Sequence, residues 1–344
     1  MKNIRKFCLV GLLTLCSLLC CACGGGSAKR DHTEDPTDTG SGAATQPSVL
    51  DMPYIGILLK SLDNPYFDLI KAGAEDEADA LGVEVMVFSP DDEDDTDDQA
   101  DMLLTMANMA VDVIAIAPID ESALADGLAR AEKNGKIILS VDTALDYDGC
   151  ACYIGTDNYN AAYQQGQYAA GLVDEGACAV ILRGQAEDRA HTLREYGLED
   201  ALHDGGVQVL DTKICNSSEK EAEQAMAELL ETQQTLHLVC TTSDSMAVGA
   251  QRAIAQAGRS DSIHIVSFDG MQEVSELVRV GEIDAVFAQD AYEIGRECVR
   301  TAVRLYQGEE VPETIHTDVE LITQGNAQEH MDEVNRRLRH KKTK

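Results

Sequence analysis

The sequence is poor in aromatic and basic residues. Its 344 residues contain no Trp, 5 Phe and 10 Tyr, so an aromatic ring in a loop is informative. Only 27 Lys and Arg stand against 61 Asp and Glu, which gives a formal net charge of −34. Nucleic-acid binding needs clustered Lys and Arg, and so does attraction to an anionic membrane surface. The composition therefore argues against both kinds of partner, and excess acidity of this kind favours a soluble, monomeric protein.

Motifs of common enzyme and metal sites are also missing. The sequence has no Walker loop, no G-x-G-x-x-G after a strand, no H-E-x-x-H and no G-x-S-x-G. Ser217–Lys220 has the form S-x-x-K, but a capping box of Ser218 and Glu221 at a helix start explains it better. The acidic run Asp91–Asp98 lacks the Gly and closing Glu of a calcium loop, and we interpret it as a solvated loop before a helix. We therefore expect no catalytic residue, metal or cofactor.

The N-terminus resembles a bacterial lipoprotein signal. Basic residues precede an apolar stretch, Phe7–Leu19, that is too short for a comfortable membrane span. We predict that residues 1–22 are removed and that Cys23, which follows the small residue Ala22, is lipidated. Cys21 is the alternative acceptor, and an ordinary secretory signal remains the competing interpretation. Residues 23–51 are rich in Gly, Ser, Thr, Asp and Pro and are expected to form a flexible tether.

Six cysteines follow the tether. They are Cys150, Cys152, Cys178, Cys215, Cys240 and Cys298. Cys178 and Cys240 fall in apolar strand patterns, where Cys usually acts as a small buried hydrophobe. An even number in an exported protein permits disulfides, and their spacing leaves the pairing open. We expect mostly free, structural cysteines.

From residue 52 onwards, strand patterns alternate with helix patterns. The first unit is an apolar strand, Tyr54–Leu59, followed by a loop and an amphipathic helix, Tyr66–Leu81, that ends at Gly82. Two such series follow each other and end in a helix, Ala291–Gln307, and an extended tail near Ile315–Ile322. Alternation of this kind predicts α/β architecture, with two doubly wound parallel sheets covered by helices. Ligands in such folds lie at the carboxyl ends of the strands.

Several segments in this order resemble the type I periplasmic sugar-binding proteins, the ribose-binding-protein group. The segments are Asp63–Phe67, Ser140–Asp142, Tyr153–Asn158, Ser243–Ala250, Val266–Gly270, and Ala288–Gln289 before Ile294–Gly295. The resemblance implies two lobes joined by a three-strand hinge, with a sugar closed between them. It places the first lobe at residues 52–156 plus 290–318 and the second at residues 157–289 plus 319–344.

Family roles carry over to particular positions. The resemblance implies that Tyr66 and Phe67 stack on a sugar ring. It also implies that its hydroxyls bond to four polar side chains, Asn64, Asp142, Asp269 and Gln289. Carboxylates suit this role because each accepts two charge-assisted hydroxyl bonds.

The sequence departs from the family pattern at three candidate positions. Thr143 and Tyr196 stand where the family has arginines, and Ser243 stands where it has Asn. Arg194 is a further candidate, because it can reach the cleft from the same helix as Tyr196; Arg183 and Arg189 are others. These departures make ribose itself doubtful as the ligand.

The resemblance implies an extracytoplasmic, lipid-anchored solute-binding protein rather than an enzyme. We expect it to capture a sugar or sugar-like polyol and deliver it to the membrane subunits of an ABC permease. The alternative is a sensor that uses the same cleft to report to a receptor kinase or chemoreceptor. A transcription repressor with this core would need a basic DNA-binding segment where this chain has a signal and an acidic tether.

Overall fold

The computed structural model describes residues 52–339, which form two sheets of six strands each. The strands of the first sheet are β1 (Tyr54–Leu58), β2 (Glu84–Phe88), β3 (Val113–Ile116), β4 (Ile137–Val141), β5 (Cys150–Thr156) and β11 (Thr314–Thr317). Those of the second are β6 (Cys178–Arg183), β7 (Gln208–Ile214), β8 (Leu236–Thr241), β9 (His264–Asp269), β10 (Ala285–Gln289) and β12 (Val319–Ile322). The predicted signal, the Cys23 lipidation site, its alternative Cys21 and the tether of residues 23–51 all lie outside the described residues.

Strand order is the same in both sheets. The first runs β11-β5-β4-β3-β1-β2 and the second runs β12-β10-β9-β8-β6-β7. All pairings are parallel except that of β10 with β12, which is antiparallel. The predicted fold class of two doubly wound parallel sheets is confirmed.

Helices cover the sheets. They are α1 (Pro65–Leu81), α2 (Thr96–Ala107), α3 (Ala125–Lys133), α4 (Asn158–Ala170), α5 (Arg189–Asp204), α6 (Glu219–Thr232), α7 (Asp244–Gln256), α8 (Gln272–Val280), α9 (Ala291–Tyr306) and α10 (Ala327–Arg339). Nearly all of the predicted helices and strands fall within a few residues of these bounds. No helix in the part of the chain that the structure describes is long and apolar enough to cross a membrane.

The opening strand–loop–helix unit forms as the sequence predicts. The side chain of Asn64 caps α1 by accepting a hydrogen bond from the backbone N–H of Tyr66, and Pro65 occupies the first turn. Gly82 ends the helix with φ of 72°, and its N–H donates to the carbonyl of Ala78. These two caps fix both ends of α1, and the cap at Asn64 also sets the place of the loop after β1.

The chain passes between the two sheets three times. It leaves the first sheet after Thr156, returns to it after Gln289, and crosses again between Thr317 and Val319. Helix α9 packs against α1 although it comes late in sequence, and Ile294 and Cys298 join the core of the first sheet. These crossings bring strand ends from both sheets to one region.

The final helix, α10, was not predicted from the sequence. Its apolar residues Ala327, Met331, Val334 and Leu338 recur at spacings of four, three and four, a pattern typical of an amphipathic helix. Ala327 packs in the core of the second sheet, whereas Val334 packs in the core of the first. The helix therefore contacts both halves of the structure.

The six described cysteines are all free, as expected from the sequence. Cys152, Cys215, Cys240 and Cys298 are buried. Burial raises the pKa of Cys240 to about 12, so this thiol stays protonated and unreactive. The cysteines of residues 52–339 therefore serve as packing residues.

Candidate ligand-binding site

A cavity lies where the carboxyl ends of the parallel strands of both sheets meet. Its polar and charged lining comprises Lys60, Asn64, Tyr66, Glu93, Asp142, His191, Arg194, Ser217, Ser243, Asp269 and Gln289. Phe67 and Ala190 complete the lining. The structure thus brings together eight of the ten predicted ligand-binding residues, and the other two, Thr143 and Tyr196, do not line it. The cavity is contracted in this conformation, with a volume of about 20 Å³, close to that of one water molecule.

Aromatic rings from the first turn of α1 form one wall. Tyr66 and Phe67 are both 3% exposed, and their ring centroids lie 5.2 Å apart in an edge-to-face arrangement. The hydroxyl of Tyr66 donates a 2.7 Å hydrogen bond to Oδ1 of Asp142. Burial raises the pKa of Tyr66, and the charge of Asp142 adds to the effect. Tyr66 therefore stays protonated and presents ring carbon atoms to the cavity while its hydroxyl orients a carboxylate.

Asp142 is held by strained backbone at the end of β4. Its φ is 65°, a left-handed conformation that residues other than glycine seldom adopt. Its carboxylate accepts hydrogen bonds from Tyr66 and, at 3.1 Å, from the hydroxyl of Thr143. Thr143 is buried and does not reach the cavity. Thr143 therefore contacts the carboxylate of Asp142 rather than the cavity itself.

Asp269 occupies the matching position at the end of β9. Its φ is 114°, and the side chain accepts hydrogen bonds from Arg194 at 3.0 Å and from Nε2 of Gln289 at 2.7 Å. Burial raises the pKa of this carboxyl to about 6, although the charge of Arg194 opposes the rise. Two aspartates with positive φ thus face the cavity from different sheets.

Arg194 reaches the cavity from α5, whereas Tyr196 does not. Arg194 is buried, and its guanidinium bonds to Oδ1 of Asn158 at 2.7 Å and to the carbonyl oxygen of Thr242 at 2.8 Å. The guanidinium also lies 4.1 Å from the ring centroid of Phe268. Tyr196 is 52% exposed. Arg194 therefore points into the protein, and Tyr196, the other candidate on this helix, lies on the outer surface.

A buried ion pair that sequence reasoning missed joins the two sides of the cavity. Nζ of Lys60, which follows β1, lies 2.5 Å from Oδ2 of Asp188 and 3.5 Å from Oδ2 of Asp142. Asp188 also caps α5 by accepting from the backbone N–H of Ala190. Burial opposes ionisation of Asp188, but the charge of Lys60, its hydrogen bond and the more distant charge of Arg194 together outweigh burial and lower the pKa of Asp188. The position of Lys60 directly after an apolar strand was the available signal, since strand ends face the site.

Glu93 also lines the cavity, and this corrects our interpretation of the acidic run. Asp91, Asp92, Asp94 and Asp95 are exposed, as expected of a solvated loop, and Asp95 caps α2. Glu93 instead turns inward, where Oε1 accepts a 2.6 Å hydrogen bond from Nδ2 of Asn64. Burial raises its pKa to about 7. The only sequence signal was that the sole Glu in a run of aspartates has the longer side chain.

Two buried polar atoms in the lining have no hydrogen-bond partner among residues 52–339. They are Oγ of Ser243 and Oε1 of Gln289. The neighbouring imidazole of His191 lies 2.8 Å from Oγ1 of Thr242 and 3.2 Å from Oγ of Ser217. Burial lowers the pKa of His191 to about 3, so its ring is neutral. Unpaired buried polar atoms are costly, and these two are positioned to bond to a molecule in the cavity.

The raised pKa of Glu93 gives a test of its burial. Its native pKa lies above its ordinary value, so the native state binds more protons than the unfolded state between about pH 4.5 and 7. The stability that protonated Glu93 contributes is therefore lost as pH rises through 7. We expect Glu93→Gln to raise the free energy of unfolding relative to wild type. This gain should be about 1 to 3 kcal/mol larger at pH 8 than at pH 5. Urea unfolding of both proteins at the two pH values measures the gain. The same difference between variant and wild type at pH 5 and pH 8 would show that Glu93 is solvated.

The described chain contains no cluster of three or more His, Cys, Asp and Glu residues suited to a metal ion. Lys60 instead pairs with Asp188 across the cavity, and Arg194 pairs with Asp269 on one side of it. This arrangement of ring faces, carboxylates and amides at strand ends can hold a small molecule that has both apolar C–H surface and hydroxyl groups. The hydroxyl of Ser217 lies 3.2 Å from Nε2 of His191, but burial lowers the pKa of this imidazole to about 3, which makes it a poor general base.

Comparisons with known proteins agree with this geometry. A family model described as a periplasmic binding protein domain matches residues 55–310. The ribose import binding protein RbsB of Escherichia coli (strain K12) is 28% identical over 271 residues, which cover 78% of this chain and 90% of that protein. The D-allose-binding periplasmic protein of the same strain is 26% identical over 251 residues, with 70% and 80% covered. A solved periplasmic component of an ABC-type sugar transport system from Hahella chejuensis has a TM-score of 0.75 at 25% identity, and the match covers 79% of this chain and 100% of that one.

Proposed function

The chain belongs to the periplasmic binding protein domain family, and we propose that it captures a sugar or sugar-like polyol and delivers it to an ABC permease. The family consists of binding proteins and not of enzymes, and its members act outside the cytoplasm. Relatives of this chain are named as ribose import and D-allose-binding proteins. Names of this kind favour transport over the alternative of a sensor.

The cavity between the two sheets is the observation that carries this proposal. A sugar has apolar C–H faces and a rim of hydroxyl groups. Tyr66 and Phe67 supply apolar ring surface, while Asp142 and Asp269 supply acceptors from opposite sides. A site that bonds to hydroxyls rejects analogues lacking them, because its own buried groups would then be left unpaired. This combination suits a polyhydroxylated ligand better than an apolar or purely ionic one.

We assign the ligand contacts to ten lining residues. They are Lys60, Asn64, Tyr66, Phe67, Glu93, Asp142, Arg194, Ser243, Asp269 and Gln289. Lys60 and Glu93 are additions to the set expected from sequence. Thr143 acts through Asp142, to which its hydroxyl donates. Tyr196 has no contact with ligand in this assignment.

Closure of two lobes around the ligand would couple binding to delivery. We place the lobes at residues 52–156 plus 290–318 and residues 157–289 plus 319–344, with the hinge at the three chain crossings. The contracted cavity and the Lys60–Asp188 ion pair across it suit a closed conformation. A ligand that bonds to both sides stabilises the closed form by its higher affinity for that form. The closed form is the one expected to dock on the permease.

The mature protein is proposed to be a monomer held at the outer face of the cell membrane by lipid on Cys23. The lipoprotein-like signal supports this anchor, because more than one acyl chain gives stable attachment. The acidic segment of residues 23–51 would act as a tether that keeps the binding domain near its permease.

A thermal-shift panel tests the proposed function. Pentoses, hexoses, inositols, amino sugars and nucleosides are added in turn at millimolar concentration to the purified full chain. A ligand present at 100 times its Kd stabilises the native state by about 2.7 kcal/mol. One sugar or polyol class is therefore expected to raise Tm by several degrees. A panel in which no compound raises Tm would contradict sugar binding.

A further inference from the structure

The donors of the cavity are largely engaged by the protein itself. Lys60 is paired with Asp188 and Asp142. Arg194 bonds to Asn158, Thr242 and Asp269. The amide Nδ2 of Asn64 donates to Glu93, and the amide Nε2 of Gln289 donates to Asp269. These bonds of Arg194 use Nε and Nη1, so the donors left for a ligand are mainly its Nη2 group and the hydroxyl of Ser243.

Acceptor capacity, in contrast, is in surplus. Glu93 accepts one side-chain hydrogen bond, from Asn64. Oε1 of Gln289, a residue only 6% exposed, has no partner in the described structure, and neither has Oγ of Ser243, a residue only 5% exposed. An amide oxygen can only accept, and a carboxylate can accept several bonds. The cavity therefore fits a ligand richer in donors than in acceptors.

The charges of the lining favour the same kind of ligand, because carboxylates outnumber cations. The cations of the lining, Lys60 and Arg194, face three carboxylates, Glu93, Asp142 and Asp269. Asp188 pairs with Lys60 from behind, and the imidazole of His191 is neutral. Asp142 lies 3.5 Å from Nζ of Lys60 and Asp269 lies 3.0 Å from the guanidinium of Arg194, whereas Glu93 forms no such ion pair within residues 52–339. Glu93 is therefore the place where a positive charge would be best compensated.

An outer cavity extends this acidic surface towards the mouth of the cleft. It has a volume of about 380 Å³ and shares Asn64, Glu93 and Ser217 with the inner cavity. Its lining adds the carboxylates of Asp63, Asp92, Asp94 and Glu221, and none of its lining residues is Lys, Arg or His. The negative electrostatic potential of the outer cavity therefore favours entry of a cation towards the inner cavity.

We propose that the preferred ligand is an amino-substituted sugar or polyol whose ammonium group lies against Glu93. This inference rests on the proposed function, since it assumes that the cavity binds a polyhydroxylated molecule. An ammonium group donates three hydrogen bonds and accepts none. It meets the acceptor surplus and also pairs with Glu93, whereas a neutral hydroxyl donates one bond and leaves the charge of Glu93 uncompensated.

Paired ligands test the inference by titration calorimetry on the purified full chain. Each pair differs by one amine: D-glucose with 2-amino-2-deoxy- and 6-amino-6-deoxy-D-glucose, and D-galactose with its 2-amino and 6-amino counterparts. N-acetyl-D-glucosamine keeps the nitrogen but removes its charge. We expect at least one amino sugar to bind about tenfold or more tightly than its neutral parent and its acetylated form, as a charge-assisted hydrogen bond requires. In Glu93→Gln this preference should fall to about twofold or less.

Asp101→Asn is the matched control, because it removes one carboxylate from an exposed position on α2 that does not line either cavity. It should keep the full preference for the amino sugar. Neutral sugars that bind as tightly as their amino counterparts would overturn the inference and leave the proposed function standing. A preference that survives in Glu93→Gln would also overturn it. Absence of binding by every sugar in the thermal-shift panel would remove the proposed function and this inference together.

Discussion

Replacing Arg194 by methionine is expected to weaken ligand binding by about 100-fold or more. Removal of one partner of a buried charged pair at a binding interface has an effect of this size. Methionine keeps part of the side-chain volume but loses every donor of the guanidinium. Asp269 would then lose the cation that balances it at 3.0 Å, and a ligand would lose an oriented acceptor. Calorimetry with the tightest ligand from the panel measures the change.

Two variants on the same helix separate binding from folding. Tyr196→Ala changes a residue that is 52% exposed, and we expect its affinity to stay within about twofold of wild type. Arg194→Lys keeps the charge without the planar fork, so an intermediate loss is expected. Circular dichroism checks that each variant is folded. If Tyr196→Ala loses affinity and a folded Arg194→Met does not, position 196 rather than Arg194 contacts the ligand, as the family pattern implies.

Replacing Tyr66 by alanine is expected to abolish measurable binding, because it removes both the ring wall and the hydroxyl that orients Asp142. Tyr66 is 3% exposed and packs with the core of the first sheet. The variant should therefore also lose about 3 to 5 kcal/mol of stability, the usual cost of truncating a buried aromatic residue. Affinity by calorimetry and stability by urea unfolding are measured together.

Tyr66→Phe separates the two functions of this side chain. It keeps the ring and removes the 2.7 Å hydrogen bond to Asp142, so an affinity loss of about tenfold is expected from one charge-assisted bond. A folded Tyr66→Ala protein with wild-type affinity would show that the ligand uses another wall of the cleft.

Most of the fold follows from local patterns. The loop after β1 illustrates this, because Asn64, Pro65 and Gly82 fix both ends of α1 by capping. The resemblance to sugar-binding proteins pointed to Asp142, Asp269 and Gln289, and the structure places all three at or just after strand ends, which meet at one edge of a parallel sheet. Helix α10 was missed although its few apolar residues recur at helical spacing, because polar and charged residues dominate its composition; Met331 and Val334 are buried in the structure.

The rest of the site depends on contacts distant in sequence. Lys60 and Asp188 are 128 residues apart, and neither position alone indicates an ion pair. Arg194 lies with Ala190, His191, Gly197 and Leu198 on the buried stripe of α5. Tyr196 falls off that stripe, so helical periodicity would have indicated which of the two candidates, Arg194 and Tyr196, faces inward. Glu93 gave no comparable signal, because its burial depends on how the acidic loop folds over Asn64.

The mass of the small molecule that the protein carries tests the central claim most directly. The full chain is purified without added ligand from cells grown on mixed carbohydrates, denatured, and its released small molecules are analysed by mass spectrometry. We predict one released polyhydroxylated compound, present in the wild type and absent from folded Arg194→Met. Release of an apolar or aromatic compound, or of the same compound from both proteins, would contradict the proposed sugar site.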